Sequence, residues 1–221
     1  NEMQKTKIAP SILSADFAAM GAAIEKLEQC GADLIHCDVM DGSFVPRITF
    51  GSQMVSAIRP HTKLPLDVHL MVVDPVAKVK DFAEAGADYI TVHAEACGER
   101  LAETLRYIRS FGVKCGAVIS PDTPFAAAES ALELCDMFLV MSVYPGLGGQ
   151  KFIERTLPKA EQAKNYILSH GLNCLVEIDG GVTEENAARI VGAGVDVLVA
   201  GNTVFRSADM AKTIAALRGG V

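Results

Sequence analysis

Short apolar runs alternate along this chain with longer stretches in which apolar residues recur every three or four positions. The runs predict strands at Lys7–Ile12, Leu34–Asp38, Leu66–Leu70, Tyr89–His93, Lys114–Ile119, Met137–Ser142, Cys174–Ile178 and Val197–Ala200. Each leads into a segment of helical periodicity, as at Ala18–Gln29, Val76–Ala85, Glu99–Ser110, Leu157–Ser169 and Glu184–Val191. The strand cores are rich in Val, Ile and Leu without strict polar alternation, which is the pattern of parallel strands covered on both faces.

One phrase recurs. Cys30-Gly31-Ala32-Asp33-Leu34-Ile35, Ala85-Gly86-Ala87-Asp88-Tyr89-Ile90 and Ala193-Gly194-Val195-Asp196-Val197-Leu198 each place a glycine at a helix end, then an acid, then a strand. Glycine suits the left-handed residue that closes a helix, so these are three copies of one helix-to-strand turn. Eight strand–helix units in 221 residues fit a closed (β/α)8 barrel better than an open doubly wound sheet. No linker, charge block or low-complexity tract divides the chain, and residues 1–221 are expected to form one domain.

Composition narrows the function. Half the residues are hydrophobic, enough for a full core, and the net charge is −7 with no dense block of Lys or Arg, which argues against nucleic acid as a partner. An anionic substrate is still accessible to backbone amides and to a bound cation. Cys30, Cys37, Cys97, Cys115, Cys135 and Cys174 form no CxxC pair and sit mostly in apolar segments. That usage points to reduced thiols in a cytoplasmic compartment. Asn1–Lys7 is polar, without the apolar core of a signal peptide, and no apolar run reaches membrane-spanning length, so a soluble protein is expected.

In a barrel of this kind chemistry collects where strands end. The polar residues at predicted strand ends are Ser11, His36 and Asp38, His69, His93, Ser142 and Asp179. A lone strand-end aspartate is commonly a helix N-cap, and a lone histidine a satisfied core residue. Two imidazoles and two carboxylates on one rim, His36, Asp38, His69 and Asp179, instead suit one divalent metal ion: Zn²⁺, Mn²⁺ or Fe²⁺. Residues two apart on a strand share a face, so His36 and Asp38 both point inward. Glycine-rich turns follow the last three strands: Pro145-Gly146-Leu147-Gly148-Gly149-Gln150, Asp179-Gly180-Gly181 and Ala200-Gly201-Asn202-Thr203. Exposed amides in such turns hold phosphate without a Lys or Arg. Met40, Met71 and Met141 fall near the same strand ends, where they either fill the core or wall the site from water.

Ile8-Ala9-Pro10-Ser11-Ile12-Leu13-Ser14-Ala15-Asp16, Asp38-Val39-Met40-Asp41-Gly42, Phe44-Val45-Pro46 and Asp67-Val68-His69-Leu70-Met71-Val72 follow one another in order. Met141-Ser142-Val143, Pro145-Gly146, Gly148-Gly149-Gln150 with Phe152, and Glu177-Ile178-Asp179-Gly180-Gly181 continue the series. In these stretches the chain resembles the ribulose-phosphate 3-epimerases over almost its whole length. The resemblance implies a metal-dependent isomerase that interconverts D-ribulose 5-phosphate and D-xylulose 5-phosphate, acts in the pentose phosphate pathway and forms a homo-oligomer. It implies that His36, Asp38, His69 and Asp179 bind the metal, that Asp38 and Asp179 are the acid/base pair, and that Ser11 and His69 contact substrate beside Met40, Met71 and Met141. Gly146, Leu147, Gly148, Gly149, Gly180, Gly181, Gly201 and Asn202 match the phosphate-binding positions. Ser43, Arg47, Tyr144, Leu147 and Asn202 depart from the residues common in the family; they lie toward the substrate's distal end and bear on sugar preference, not on reaction class.

Inversion at carbon 3 passes through an enediolate, which a divalent cation stabilises as a Lewis acid. It needs one acid/base group on each face, the roles of Asp38 and Asp179. A hexulose 6-phosphate such as allulose 6-phosphate is the alternative substrate, and a non-catalytic sugar-phosphate-binding barrel the alternative class. A metal-free phosphate barrel would typically carry a strand-end lysine, and no lysine ends a predicted strand.

Overall fold

The apolar runs fold as β1 (Lys7–Pro10), β2 (Ile35–Met40), β3 (Leu66–Met71), β4 (Tyr89–His93), β5 (Lys114–Ile119), β6 (Met137–Met141), β7 (Leu175–Asp179) and β8 (Val197–Ala200). The computed structural model describes residues 5–219, so Asn1–Gln4 of the polar N-terminal stretch lie outside the described residues. The ladder order is β1-β8-β7-β6-β5-β4-β3-β2, with every pairing parallel. The barrel closes between β1 and β2 through a Ser11–His36 bridge, and through the amides of Asp33 and Leu34, which donate to the Ile8 carbonyl at 2.9 and 3.3 Å. This seam is thin because Pro10 has no N–H to give. The first strand accordingly stops at Pro10, not at Ile12 as the apolar pattern suggests, and Ile12 opens a 3₁₀ turn capped by the Ser11 hydroxyl.

The helices are α1 (Met20–Gln29), α2 (Ser52–Ile58), α3 (Val76–Ala85), α4 (Ala94–Cys97), α5 (Leu101–Ser110), α6 (Leu157–Ser169), α7 (Ala187–Gly192), α8 (Asn202–Phe205) and α9 (Met210–Leu217). They cover the outer face of the barrel, where Leu27, Phe82, Leu105, Ile167 and Ile190 pack on the strands. Full burial of one such side chain stabilises by about 1.5–3 kcal/mol. The expected helix between β5 and β6 is absent: Phe125–Ala127 and Glu129–Leu134 are 3₁₀ turns. Pro121 and Pro124 push Ser120 and Thr123 away from helical backbone angles, and the segment that follows stays in 3₁₀ turns. Among the described residues no helix is long and apolar enough to cross a membrane, and all six cysteines are free.

The repeated turn is built as its glycines require, with φ of 92° at Gly31, 106° at Gly86 and 100° at Gly194. Its acid has a second task. Asp33, Asp88 and Asp196 each accept, at 2.8 Å, an amide near the start of the strand before them: Ile8, Leu66 and Val176. A fourth acid, Asp136, accepts from Cys115 at 3.0 Å. Each acid also meets a helix-borne or helix-end cation, Arg218, Arg59, Lys164 and Arg109 respectively. Four such clamps ring the end of the barrel at which the strands begin.

Inside the barrel, Leu34, Tyr89, Met137 and Val197 form an apolar plug at that same end, and Ala9 and Val199 extend it toward the other. Further along the strands the inward positions become polar. His36, Asp67, His69, Thr91, His93 and Glu177 are all fully buried.

Candidate active site

Three strands each aim a pair of polar side chains into the barrel: His36 and Asp38 on β2, Asp67 and His69 on β3, Glu177 and Asp179 on β7. Donor atoms of His36, Asp38, His69 and Asp179 gather within 4.8 Å of one another. Nε2 of His36 is 3.2 Å from Oδ1 of Asp38 and 3.4 Å from Oδ2 of Asp179. Nδ1 of His69 is 3.1 and 3.9 Å from the same two oxygens. Donors about 2.0–2.1 Å from a central ion, at tetrahedral angles, sit about 3.3 Å apart. The set therefore fits one first-row divalent cation, although two imidazoles and two carboxylates do not choose among Zn²⁺, Mn²⁺ and Fe²⁺.

Each ring's other nitrogen is also held. Nδ1 of His36 is 2.8 Å from Oδ2 of Asp67, and Nε2 of His69 is 2.8 Å from Nε2 of His93. The Ser11 hydroxyl donates to Oδ2 of Asp38 at 2.6 Å, leaving Oδ1 to the cluster. Buried partners of this kind fix the orientation of metal ligands.

The electrostatics divide the carboxyls. Burial works to raise the Asp38 pKa, but His36 and His69 outweigh it and hold the group well below the usual carboxylate range. Asp179 goes the other way, raised by burial and then by the charge of Asp38. Burial works to lower His36, yet Asp38, Asp67 and Asp179 together raise it well above the ordinary imidazole value. His69 is lowered, first by burial and then by His93 and His36, against the pull of Asp38. Glu177 is raised well above its usual value by burial and the neighbouring Asp67. So much negative charge around two imidazoles is a setting that a cation would neutralise.

Above the cluster opens a cavity of about 310 Å³. Asp38 and Asp179 reach its lining, while His36 and His69 lie fully buried beneath it. Met40, Met71 and Met141 face the cavity, as do all the positions expected to take phosphate. Gly181 must be glycine on two counts: its φ is 67°, and a Cβ there would overlap the backbone of Phe152. Among the described residues, the amides of Gly181, Gly201 and Asn202 donate to no other protein group. Leu147 is half exposed at the rim. Ser142 lies just past β6, and its hydroxyl donates to the Gly180 carbonyl at 2.6 Å, which makes it a brace for the glycine turn.

Sequence reasoning passed over Asp67, Glu177, Glu95 and Arg206. The period-two rule that paired His36 with Asp38 applies equally to Asp67 with His69 and Glu177 with Asp179, so that signal was present. Arg206 carries no such signal. It lines the cavity beside Asn202, and among the described residues it forms no ion pair. Arg47, from the segment after β2, comes near Gly148, whose Cβ position would lie 3.7 Å from the guanidinium.

The sequence profile of the Ribulose-phosphate 3 epimerase family matches residues 7–205. The chain is 50% identical over 214 residues to the ribulose-phosphate 3-epimerase of Bacillus subtilis (strain 168), covering 96% of this chain and 98% of that protein. It is 49% identical over 212 residues to the ribulose-phosphate 3-epimerase of Synechocystis, covering 96% and 92%. Among solved structures, KGPDC from Streptococcus mutans superposes with a TM-score of 0.72 over 98% of this chain and 97% of that one. At 16% identity this likeness concerns the fold alone.

Proposed function

This chain belongs to the ribulose-phosphate 3-epimerase family, and on that premise we propose that it inverts carbon 3 of a ketose phosphate, interconverting D-ribulose 5-phosphate and D-xylulose 5-phosphate. The observation that carries the reading is the convergence of Asp38 and Asp179 on one four-donor cluster at the floor of a cavity. They come from β2 and β7, which β1 and β8 separate in the sheet, so the two acids reach the floor from different sides.

His36, Asp38, His69 and Asp179 would hold a divalent cation, which when bound would supply Lewis acidity worth several kcal/mol of charge stabilisation. The residues do the rest. One aspartate takes the carbon 3 proton, and the other returns a proton to the opposite face. Their surroundings push the two carboxyls in opposite directions, which is what a pair of one base and one acid requires. Ser11 holds the Asp38 carboxylate in one rotamer through its 2.6 Å hydrogen bond. Met40, Met71 and Met141 present apolar surface beside the reacting carbon and limit access of water. The free amides of Gly181, Gly201 and Asn202, with the glycine turn at 146–149, bind the phosphate end through their N–H groups. The six free cysteines support a reducing, cytoplasmic setting.

Asp38→Asn and Asp179→Asn are each expected to abolish epimerisation in a folded barrel. The measurement is conversion of ribulose 5-phosphate to xylulose 5-phosphate, with circular dichroism as the check on folding. Wild-type turnover in either variant would rule out the two-base scheme. Parallel kcat/KM values for pentulose and hexulose phosphates read the sugar preference.

A further inference from the structure

His93 ends β4, fully buried, and lies outside the four-donor set. Its Nε2 is 2.8 Å from Nε2 of His69, and the two rings have centroids 4.9 Å apart with planes inclined by 24°. Its Nδ1 is 3.1 Å from Oε2 of Glu95. The other oxygen of Glu95 is committed elsewhere: it accepts the Ser120 amide and the Thr123 hydroxyl, both at 2.6 Å. That loop is itself pinned by Lys159, whose ammonium donates to the carbonyls of Ser120, Pro121 and Thr123 at 2.9, 3.0 and 2.9 Å.

These contacts dictate where protons sit. An ionised carboxylate only accepts, and a neutral imidazole has one N–H and one bare nitrogen. Glu95 therefore draws the N–H of His93 to Nδ1 and leaves Nε2 of His93 bare. The bare nitrogen accepts from Nε2–H of His69, so Nδ1 of His69 is bare and faces Asp38 and Asp179. A bare nitrogen is the form that ligates a metal. The Ser120 hydroxyl, 3.4 Å from Nδ1 of His93, can donate or accept and imposes no order.

We propose that Glu95 and His93 are positioning residues that set the proton order of His69 and thereby the affinity of the site for its divalent cation. This rests on the metal reading of the four-donor cluster. Glu95→Gln tests it directly. The Ser120 amide needs an oxygen, so the glutamine turns its NH₂ toward His93 and donates to Nδ1. The order then reverses along the chain and places a proton on Nδ1 of His69.

Chelator competition with Zn²⁺ should show affinity about 10- to 100-fold weaker in Glu95→Gln and in His93→Phe. Thr123→Val removes a loop contact of Glu95 without touching the imidazoles, and should stay within about twofold of wild type, well short of that outer-shell effect. Nitrogen-15 NMR of the metal-free wild type should find the protons on Nε2 of His69 and Nδ1 of His93. Protons on the opposite nitrogens would overturn the proposal whatever the variants do. So would wild-type zinc affinity in Glu95→Gln, or a loss in Thr123→Val as large as in Glu95→Gln. A wild type that binds no zinc would take the metal reading down as well; failure confined to the variants takes down this proposal alone.

Discussion

Glu177 sits two residues before Asp179 on β7, fully buried, and neither of its carboxyl oxygens has a partner if both it and Asp67 are ionised. Asp67 likewise keeps one oxygen unpaired. A proton on Glu177, donated to Asp67, gives a partner to one oxygen of each, which agrees with the raised pKa that burial and Asp67 impose on Glu177. The consequence for stability follows in sign. An acid whose folded pKa is raised keeps its proton after the unfolded chain has released it, so it costs stability above the ordinary glutamate range and nothing below it. Glu177→Gln keeps the donor without that cost. Its urea midpoint should exceed the wild type's at pH 7, and the advantage should disappear near pH 4. An equal or lower midpoint at pH 7 would mean that Glu177 is ionised in the folded protein. The histidines and aspartates of the cluster were legible from strand-end position. Asp67 and Glu177 were not singled out, although each stands two residues before a member of the cluster and on the same face.

Turns and strand starts form the next level. The Gly-x-Asp phrase was visible in three copies, and the structure adds the purpose of its acid, which clamps the start of a neighbouring strand. The fourth clamp, Asp136, escaped notice because no α-helix precedes it and so no closing glycine marks it. Asp196→Ala strips the partner from the buried Val176 amide and from Lys164 together. Leaving such a donor unsatisfied costs about 1–3 kcal/mol. Chemical denaturation should register a loss of that size, with zinc affinity unchanged, since the clamp lies at the opposite end of the barrel from the cluster. The boundaries that moved did so for local reasons: Pro10 ended β1 early, and two prolines replaced a helix by 3₁₀ turns.

For the whole molecule, the four donor residues come from β2, β3 and β7, so one cation would tie together distant stretches of chain. A ligand that binds only the folded state stabilises it by about 2.7 kcal/mol at one hundred times its Kd. For a chain of this size each kcal/mol is about 2–4 °C in Tm. Zn²⁺ at that concentration should thus raise the Tm of chelator-treated protein by about 5–11 °C. Asp38→Asn should lose most of the shift. A Tm indifferent to Zn²⁺, Mn²⁺ and Fe²⁺ alike would mean that the cluster holds no ion of this kind.

The sequence by itself determined the parallel barrel, its strand-to-helix order and the residues of the four-donor cluster. Those properties depend on periodicity and on position along a strand, which the chain carries locally. Only the tertiary structure decided which atom of each ring faces the cluster, which oxygen of Glu95 is free for His93, and that Arg206 lines the cavity. Hydrogen-bond partners such as Glu95 with Ser120, or Asp38 with Ser11, are separated by 25 and 27 residues, and their distances exist only once the barrel has closed.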